Sequence, residues 1–129
     1  MPLIGRIYAI VGALSLMLAT QLSAYGFHGL TGKVTPAKLS SWEWAVQLQF
    51  VHSLGLIAVA LLLAQLPRSV LLRIAGALMI LGQLLFCATL YANVLGAPPG
   101  ISQVAPLGGG SFMVGWLLTA AAGFRLGRN

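Results

Sequence analysis

The sequence predicts an all-α fold, a membrane-spanning four-helix bundle with both termini on the cytoplasmic side. Hydrophobic residues make up 59% of the 129 residues and charged residues only 6%, whereas soluble domains carry roughly 25% charged residues. Four apolar stretches are long enough to cross a bilayer core, which takes about 20 helical residues. These stretches are continuous and lack the alternation of membrane β-strands. The chain therefore predicts a protein whose solvent is lipid.

The four predicted spans belong to one domain over residues 1–129. They cover about residues 3–27, 42–66, 70–95 and 109–126. We expect the first span to be retained, because its apolar stretch is longer than the usual core of a cleaved signal peptide.

The breaks between spans are marked by loop-forming residues. The segment 31–41 predicts an exposed loop that ends with Ser40 or Ser41 as a helix N-cap. Pro67 predicts a tight hairpin. The segment 96–106 predicts a loop, because proline lacks the N–H that a helix interior needs, and Gly108-Gly109-Gly110 predicts a flexible lead into the fourth span.

The cations predict the orientation of the bundle. Five arginines belong to the termini and the second loop, namely Arg6, Arg68, Arg73, Arg125 and Arg128. Only Lys33 and Lys38 belong to the first loop, and the third loop has none. The positive-inside rule then predicts cytoplasmic termini in a bacterial inner membrane, with Trp42 and Trp44 at the outer interface.

Charge and cysteine content exclude several classes of protein. The net charge is +6, but the cations are dispersed without a basic run, so we expect no nucleic-acid partner. The single Cys87 excludes an internal disulfide and a Cys-x-x-Cys centre. Two histidines without neighbouring cysteines or aspartates predict no metal site, and we expect no cofactor. The first span has no acid of the kind that small multidrug exporters use.

Polar side chains inside the spans are the candidate functional residues, because they are costly in lipid and need partners. The candidate ligand-binding residues are His28, Gln49, His52 and Gln83, in a cluster with Glu43 or Asn93 near its mouth. The alternative is that these groups form interhelical hydrogen bonds, which contribute about 0.6 kcal/mol on average. Both interpretations stay open.

One contact between spans two and three follows from their spacing. His52 and Gln83 each lie about fifteen residues from the hairpin at Pro67, so they should lie at the same depth. We therefore predict that His52 is buried and hydrogen-bonded, with Gln49 or Gln83 among its nearest polar neighbours.

The fourth span carries a ridge of small residues at intervals of four. Its members are Ser111, Gly115, Thr119 and Gly123. Such a ridge allows close approach of another helix, within the chain or from a second protomer.

Four short motifs follow one another in an order typical of a known membrane family. They are Ser23-Ala24-Tyr25-Gly26-Phe27-His28-Gly29-Leu30, Gln49-Phe50-Val51-His52, Leu85-Phe86 with Leu90-Tyr91, and Pro106-Leu107-Gly108-Gly109 followed by Phe112 and Gly115-Trp116. On these motifs, which cover nearly the whole chain, it resembles domain of unknown function 423, the family of transmembrane protein 256 and YgdD-like small membrane proteins. The family's patterns are Gly-Ala-Phe-Gly-Ala-His-Gly-Leu for the first motif and Tyr-Gln-x-x-His for the second.

The chain departs from the family pattern at several positions. Leu48 replaces a tyrosine, Ala105 replaces a threonine, and Ser23 and Phe27 replace small residues. Hydroxyl-dependent chemistry at positions 48 and 105 is therefore not carried over. The resemblance implies four spans and draws attention to His28 and His52, but it implies no reaction.

The sequence supports three functional hypotheses. The first is a non-enzymatic accessory or interaction subunit, in contact with the lipid bilayer and assembled as a homo-oligomer or in a larger membrane complex. The second is a binding or transport module for a lipid-like, quinone-like or metal ligand at the outer-half polar cluster. The third is an enzyme that uses His28 as a general base.

Overall fold

Four long apolar helices make up the chain in the computed structural model, which describes residues 1–128. Span 1 covers Leu3–Leu30, span 2 Pro36–Gln65, span 3 Val70–Val94 and span 4 Pro99–Gly123, and each is long and apolar enough to cross a membrane. No strand occurs among the described residues. The predicted all-α, four-span fold is confirmed.

The bundle has two distinguishable ends. One end carries both termini and the turn 66–69, and we call it the termini end. The other carries the segments 31–35 and 95–98, and we call it the loop end. Span 1 packs mainly against span 2, span 4 packs mainly against span 3, and spans 2 and 3 form the central pair.

Span 2 begins earlier than the sequence suggested, at Pro36 rather than near residue 42. Its N-cap is Thr35, whose side-chain oxygen accepts a hydrogen bond of 3.2 Å from the backbone N–H of Lys38. The prediction of Ser40 or Ser41 as the cap was wrong. Proline is compatible with the first helical position because its missing N–H has no helical partner there.

Span 4 also begins earlier than predicted, and for a related reason. A 3₁₀ helix runs over Pro99–Val104, and an α-helix continues from Ala105 to Gly123. Residues 99–106 are thus not the loop that was expected, because the prolines occupy first turns, where no N–H is needed. The glycines from Gly108 to Gly110 are helical rather than a flexible lead.

Two π-helical segments interrupt the spans. One, Gly26–Leu30, ends span 1 beyond the predicted limit at residue 27, and the other, Gln83–Ala88, lies within span 3. A threonine follows each segment and supports its carbonyl groups. The Thr31 hydroxyl donates to the Gly26 carbonyl at 3.2 Å, and the Thr89 hydroxyl donates to the Leu85 carbonyl at 2.7 Å. Segments of this kind are frequent at functional sites, and both coincide with motifs of the family resemblance.

The apolar core differs between the two halves of the bundle. Large side chains from spans 2 and 3, including Leu56, Leu63, Leu72 and Met79, form the core of the termini half around Tyr8 of span 1. At the loop end, buried Trp42 donates from Nε1 to the Leu22 carbonyl at 2.8 Å. Trp42 therefore belongs to the core, whereas Trp44 is exposed. Outward-facing leucines, methionines and aromatic residues on all four spans form the lipid-facing surface.

Part of the predicted small-residue ridge of span 4 packs within the bundle. Ser111 donates to the Leu78 carbonyl of span 3 at 2.7 Å, and a methyl group at Gly115 would lie 3.4 Å from the Ala75 carbonyl oxygen. The Thr119 hydroxyl bonds its own helix, at the Gly115 carbonyl. Gly123 has open space at its Cβ position within the described residues, so its part in the ridge stays a prediction.

Spans 3 and 4 also approach each other closely at Gly108. A methyl group at Gly108 would lie 2.6 Å from the Phe86 nitrogen and 2.9 Å from the Gly82 carbonyl oxygen. Only glycine allows the two backbones to meet at that distance. The contact falls against the π segment of span 3.

Candidate functional site

A connected set of polar side chains crosses the interior of spans 1, 2 and 3. At its centre is Ser15 of span 1, whose Oγ donates to Gln83 Oε1 at 2.8 Å. Ser53 of span 2 is buried, and its Oγ lies 2.7 Å from Ser15 Oγ and 3.1 Å from Gln83 Oε1. One hydroxyl has one proton, so Ser53 donates to either partner at a time. The three side chains join three helices at one level.

The set continues toward the loop end through Gln49. Its amide nitrogen donates to the Ser15 carbonyl at 3.0 Å and lies 3.2 Å from Ser15 Oγ. Its amide oxygen accepts from the Tyr91 hydroxyl at 2.7 Å. We call Ser15, Gln49, Ser53, Gln83 and Tyr91 the serine–amide network. Both polar atoms of Gln49 are engaged within it.

His52 belongs to a separate contact, on the side of span 2 that faces span 4. Its side chain is 5% exposed. Its Nδ1 lies 2.8 Å from the Leu48 carbonyl oxygen, and its Nε2 accepts from Trp116 Nε1 at 3.0 Å. The ring stacks on Phe112 with centroids 3.5 Å apart and planes 12° from parallel.

These contacts determine the tautomer of His52. The Leu48 carbonyl oxygen only accepts, so Nδ1 must carry a proton. The Trp116 indole N–H only donates, so Nε2 must present its lone pair. Both ring nitrogens are therefore occupied by protein groups, and the arrangement positions the ring without leaving either nitrogen open to a ligand.

The structure separates the side chains that the sequence grouped into one cluster. His28 is exposed at the end of span 1, with its ring edge against Phe27. Gln49 and Gln83 belong to the serine–amide network, and His52 pairs with Trp116. The prediction that His52 is buried and hydrogen-bonded is confirmed, but neither Gln49 nor Gln83 is its hydrogen-bond partner.

The neighbour of Gln83 is Ser53, one residue beyond the predicted His52. Equal spacing from the hairpin predicted the depth correctly, but a helix turns about 100° per residue. That rotation directs Ser53 toward span 3 and His52 toward span 4. Depth therefore follows from counting, whereas the facing direction depends on how the helices pack.

Three contributing residues were missed from the sequence. Ser15, Tyr91 and Trp116 each supply a hydrogen bond to a predicted site residue. Ser15 is a lone hydroxyl in an apolar run, and the two aromatic residues look like ordinary core or interface residues. The available signal for Tyr91 and Trp116 was their place in the family motifs.

The described side chains form no cluster of metal-ligating groups. Among residues 1–128, no group of three or more His, Cys, Asp or Glu side chains lies close enough to hold an ion. Cys87 is buried in an apolar cluster with Ala45 and Phe112.

A groove opens between spans 1 and 2 at the loop end, with a volume of about 290 Å³. It is lined by Ser23, Gly26, Phe27, Trp42, Glu43, Val46, Gln47 and Phe50. We call it the loop-end groove. Its polar groups include the exposed side chains of Glu43 and Gln47, one helical turn apart. The chain's one acidic residue, expected near the mouth of a site, thus lines this groove.

Comparison with known proteins shows the family of this chain. A family model described as "Protein of unknown function (DUF423)" matches residues 22–109. The chain belongs to the DUF423 family. The matched region of this DUF423 protein includes both π segments and Gln49, His52, Gln83 and Tyr91, whereas Ser15 and Trp116 lie outside it.

Bacterial relatives cover almost the whole DUF423 chain. The UPF0382 membrane protein YwdK of Bacillus subtilis is 35% identical over 117 residues, which are 91% of this chain and 95% of the relative. The UPF0382 membrane protein SSP2132 of Staphylococcus saprophyticus is 34% identical over 121 residues, which are 94% of this chain and 99% of the relative. No solved structure matches. The relatives and the four apolar helices identify a multi-pass membrane protein.

Proposed function

We propose that this DUF423 protein is a non-enzymatic accessory or interaction subunit of a larger membrane assembly. The observation that carries the proposal is a division among its polar side chains. Buried polar side-chain atoms all have hydrogen-bond partners, whereas the exposed amides of spans 1 and 2 make no hydrogen bond within residues 1–128.

The interior contacts support a structural role for the buried groups. Both nitrogens of His52 and both polar atoms of Gln49 already have protein partners. The bond of His52 to Leu48 lies within span 2. Each of the other bonds joins two helices. Such bonds hold a bundle in one arrangement and contribute about 0.6 kcal/mol each on average.

The outward amides support a partner helix. Gln21 of span 1 and Gln47 of span 2 are exposed, and both lie in the loop-end half of the bundle. A polar side chain that faces hydrocarbon without a partner is costly. A helix of another subunit, or of a second copy, supplies donors and acceptors that satisfy them.

The orientation belongs to the same proposal. We place the protein in the bacterial inner membrane with both termini in the cytoplasm, because the termini end carries five arginines and the loop end only two lysines. The amides Gln21 and Gln47 then lie in the outer half of the membrane. A partner is therefore expected to contact the protein at that depth.

The loop-end groove favours a second candidate function, a binding or transport module for a small lipid-like or quinone-like ligand. The groove has an apolar wall that includes Phe27 and Phe50, and it presents a carboxylate and an amide at Glu43 and Gln47. A metal ligand is less well supported, because His28 and His52 are not brought together. This candidate ranks second because the groove is open and offers a bound molecule few polar groups.

Native mass spectrometry of the protein released from its own membranes tests both functions. We expect a defined assembly heavier than the 13.5 kDa monomer. Gln47→Leu should weaken that assembly by about threefold or more, the equivalent of one interhelical hydrogen bond. Leu61→Met, on another exposed position of span 2, is the control and should leave it intact.

The alternative outcomes separate the candidates. A monomer that carries a small molecule, which Gln47→Leu or Glu43→Gln releases, would support the ligand-binding module instead. A monomer without any bound molecule in its native lipids would contradict both proposals.

A further inference from the structure

A second groove lies at the termini end, where the turn between spans 2 and 3 meets the end of span 4. It has a volume of about 500 Å³ and is lined by Gln65, Leu66, Pro67, Arg68, Ser69, Val70, Leu71, Ala122 and Arg125. An adjoining cavity of about 690 Å³ shares Leu66 and Arg125 with it and adds Ala121, Phe124 and Arg128. We call the two together the basic groove.

Three arginine side chains give the basic groove its positive charge. Arg68, Arg125 and Arg128 come from two separate segments and are all exposed. Arg73 adds a further cation at this turn, where its guanidinium donates to the Pro67 carbonyl at 2.9 Å. The chain has a single acidic residue, Glu43, and it lines the groove at the opposite end.

The backbone of the turn adds to this potential. Ser69 caps the following helix, because its Oγ accepts from the Leu72 N–H at 3.2 Å. The N–H groups of the first helical turn, which include those of Val70 and Leu71, have no carbonyl partner within the helix. Both residues line the groove. The positive end of a helix dipole therefore points to the same side as the arginines.

The inner wall of the groove is apolar. Leu66, Leu71 and Ala122 line it next to the cations, and Phe124 is 79% exposed beside Arg125. This combination of a basic rim and an apolar wall is suited to an amphipathic molecule that has an anionic head and a hydrocarbon tail. A small free anion would use the rim alone.

We propose that the basic groove binds the headgroup phosphate of an anionic phospholipid, with an acyl chain along Leu66, Leu71 and Ala122. Arg125 stands at the centre of the site, because it borders both cavities. This site is independent of the proposed interaction surface, which lies at the loop end.

The test uses the full-length protein released from nanodiscs into a native mass spectrometer. The nanodiscs hold equal amounts of phosphatidylglycerol and phosphatidylcholine, which differ in net charge but share their acyl chains. We expect retained phosphatidylglycerol in preference to phosphatidylcholine. Arg125→Gln should reduce the retained phosphatidylglycerol about fivefold, as expected for one arginine at a lipid surface.

Arg6→Gln is the matched control, because Arg6 is an exposed cation of the same end that does not line the groove. It should change lipid retention far less than Arg125→Gln does, because an exposed charge outside the groove is screened by salt. Arg68→Gln, on the other side of the groove, should reproduce the effect of Arg125→Gln.

Three results would overturn the proposal. Equal losses from Arg6→Gln and Arg125→Gln would indicate general surface charge instead of a site. Equal retention of the two lipids by the unaltered protein would exclude headgroup recognition. Displacement of phosphatidylglycerol by inorganic phosphate alone would identify a free-anion site in place of a lipid site.

Discussion

The indole nitrogen of Trp116 donates a hydrogen bond of 3.0 Å to Nε2 of His52, and this bond joins span 4 to span 2. The opposite ring nitrogen of His52 bonds the Leu48 carbonyl, and Phe112 lies flat on the ring. The histidine is thus held on both edges and one face. The orientation of the His52 ring therefore depends on two side chains of span 4, Phe112 and Trp116.

The first prediction concerns this pair. Trp116→Phe should lower the free energy of unfolding by about 1–3 kcal/mol, because it leaves a buried acceptor on His52 without its donor. Unfolding of the purified protein in detergent measures the change. Trp44→Phe, an exposed position, should have a much smaller effect. Equal effects of the two substitutions would show that the His52 bond contributes nothing specific.

The second prediction concerns the contact between spans 3 and 4. Gly108→Ala should destabilise the protein by about 1–3 kcal/mol, because its methyl group meets the backbone of Phe86 and Gly82. Gly109→Ala is the matched control, because the neighbouring glycine has open space at its Cβ position. Alanine favours helix over glycine by up to about 1 kcal/mol, so Gly109→Ala should be neutral or stabilising. A lower melting temperature for Gly109→Ala than for Gly108→Ala would contradict this packing.

The third prediction concerns the serine–amide network. Ser15→Ala should destabilise the bundle by about 1–2 kcal/mol, because Gln49, Ser53 and Gln83 all bond to its side chain. A double-mutant cycle of Ser15→Ala with Gln83→Leu should give a coupling of about 0.6 kcal/mol or more. The same cycle with exposed Ser23→Ala should give none. Additive effects of Ser15→Ala and Gln83→Leu would argue against a connected network.

The fourth prediction concerns topology. A reporter fused after Asn129 should report the cytoplasm, and one inserted near Thr35 should report the outer side, because the termini end carries the arginines. Activity of paired reporters that function on opposite sides of the membrane measures this. Both reporters on one side would contradict the four-span topology, and reversed signals would overturn the charge argument.

The ends of the helices were less predictable than the helices themselves. Prolines at 36, 99 and 106 suggested loops, yet each stands in a first helical turn. A proline shows where a helix interior is impossible. It does not distinguish a loop from a first helical turn, because neither needs the N–H that proline lacks. The same ambiguity applies to Gly108, whose close contact with span 3 decides its role.

The sequence by itself determined the membrane environment, the four spans and the depth of the polar side chains. The membrane environment and the four spans follow from the number and length of the apolar stretches. The depths follow from the constant rise per residue of a helix. Only the tertiary structure decided which side chains meet. Rotation about each helix axis pairs Ser53 with Gln83 and His52 with Trp116. That rotation depends on packing between helices, such as the contact of Gly108 with the backbone of span 3, which joins residues distant in sequence.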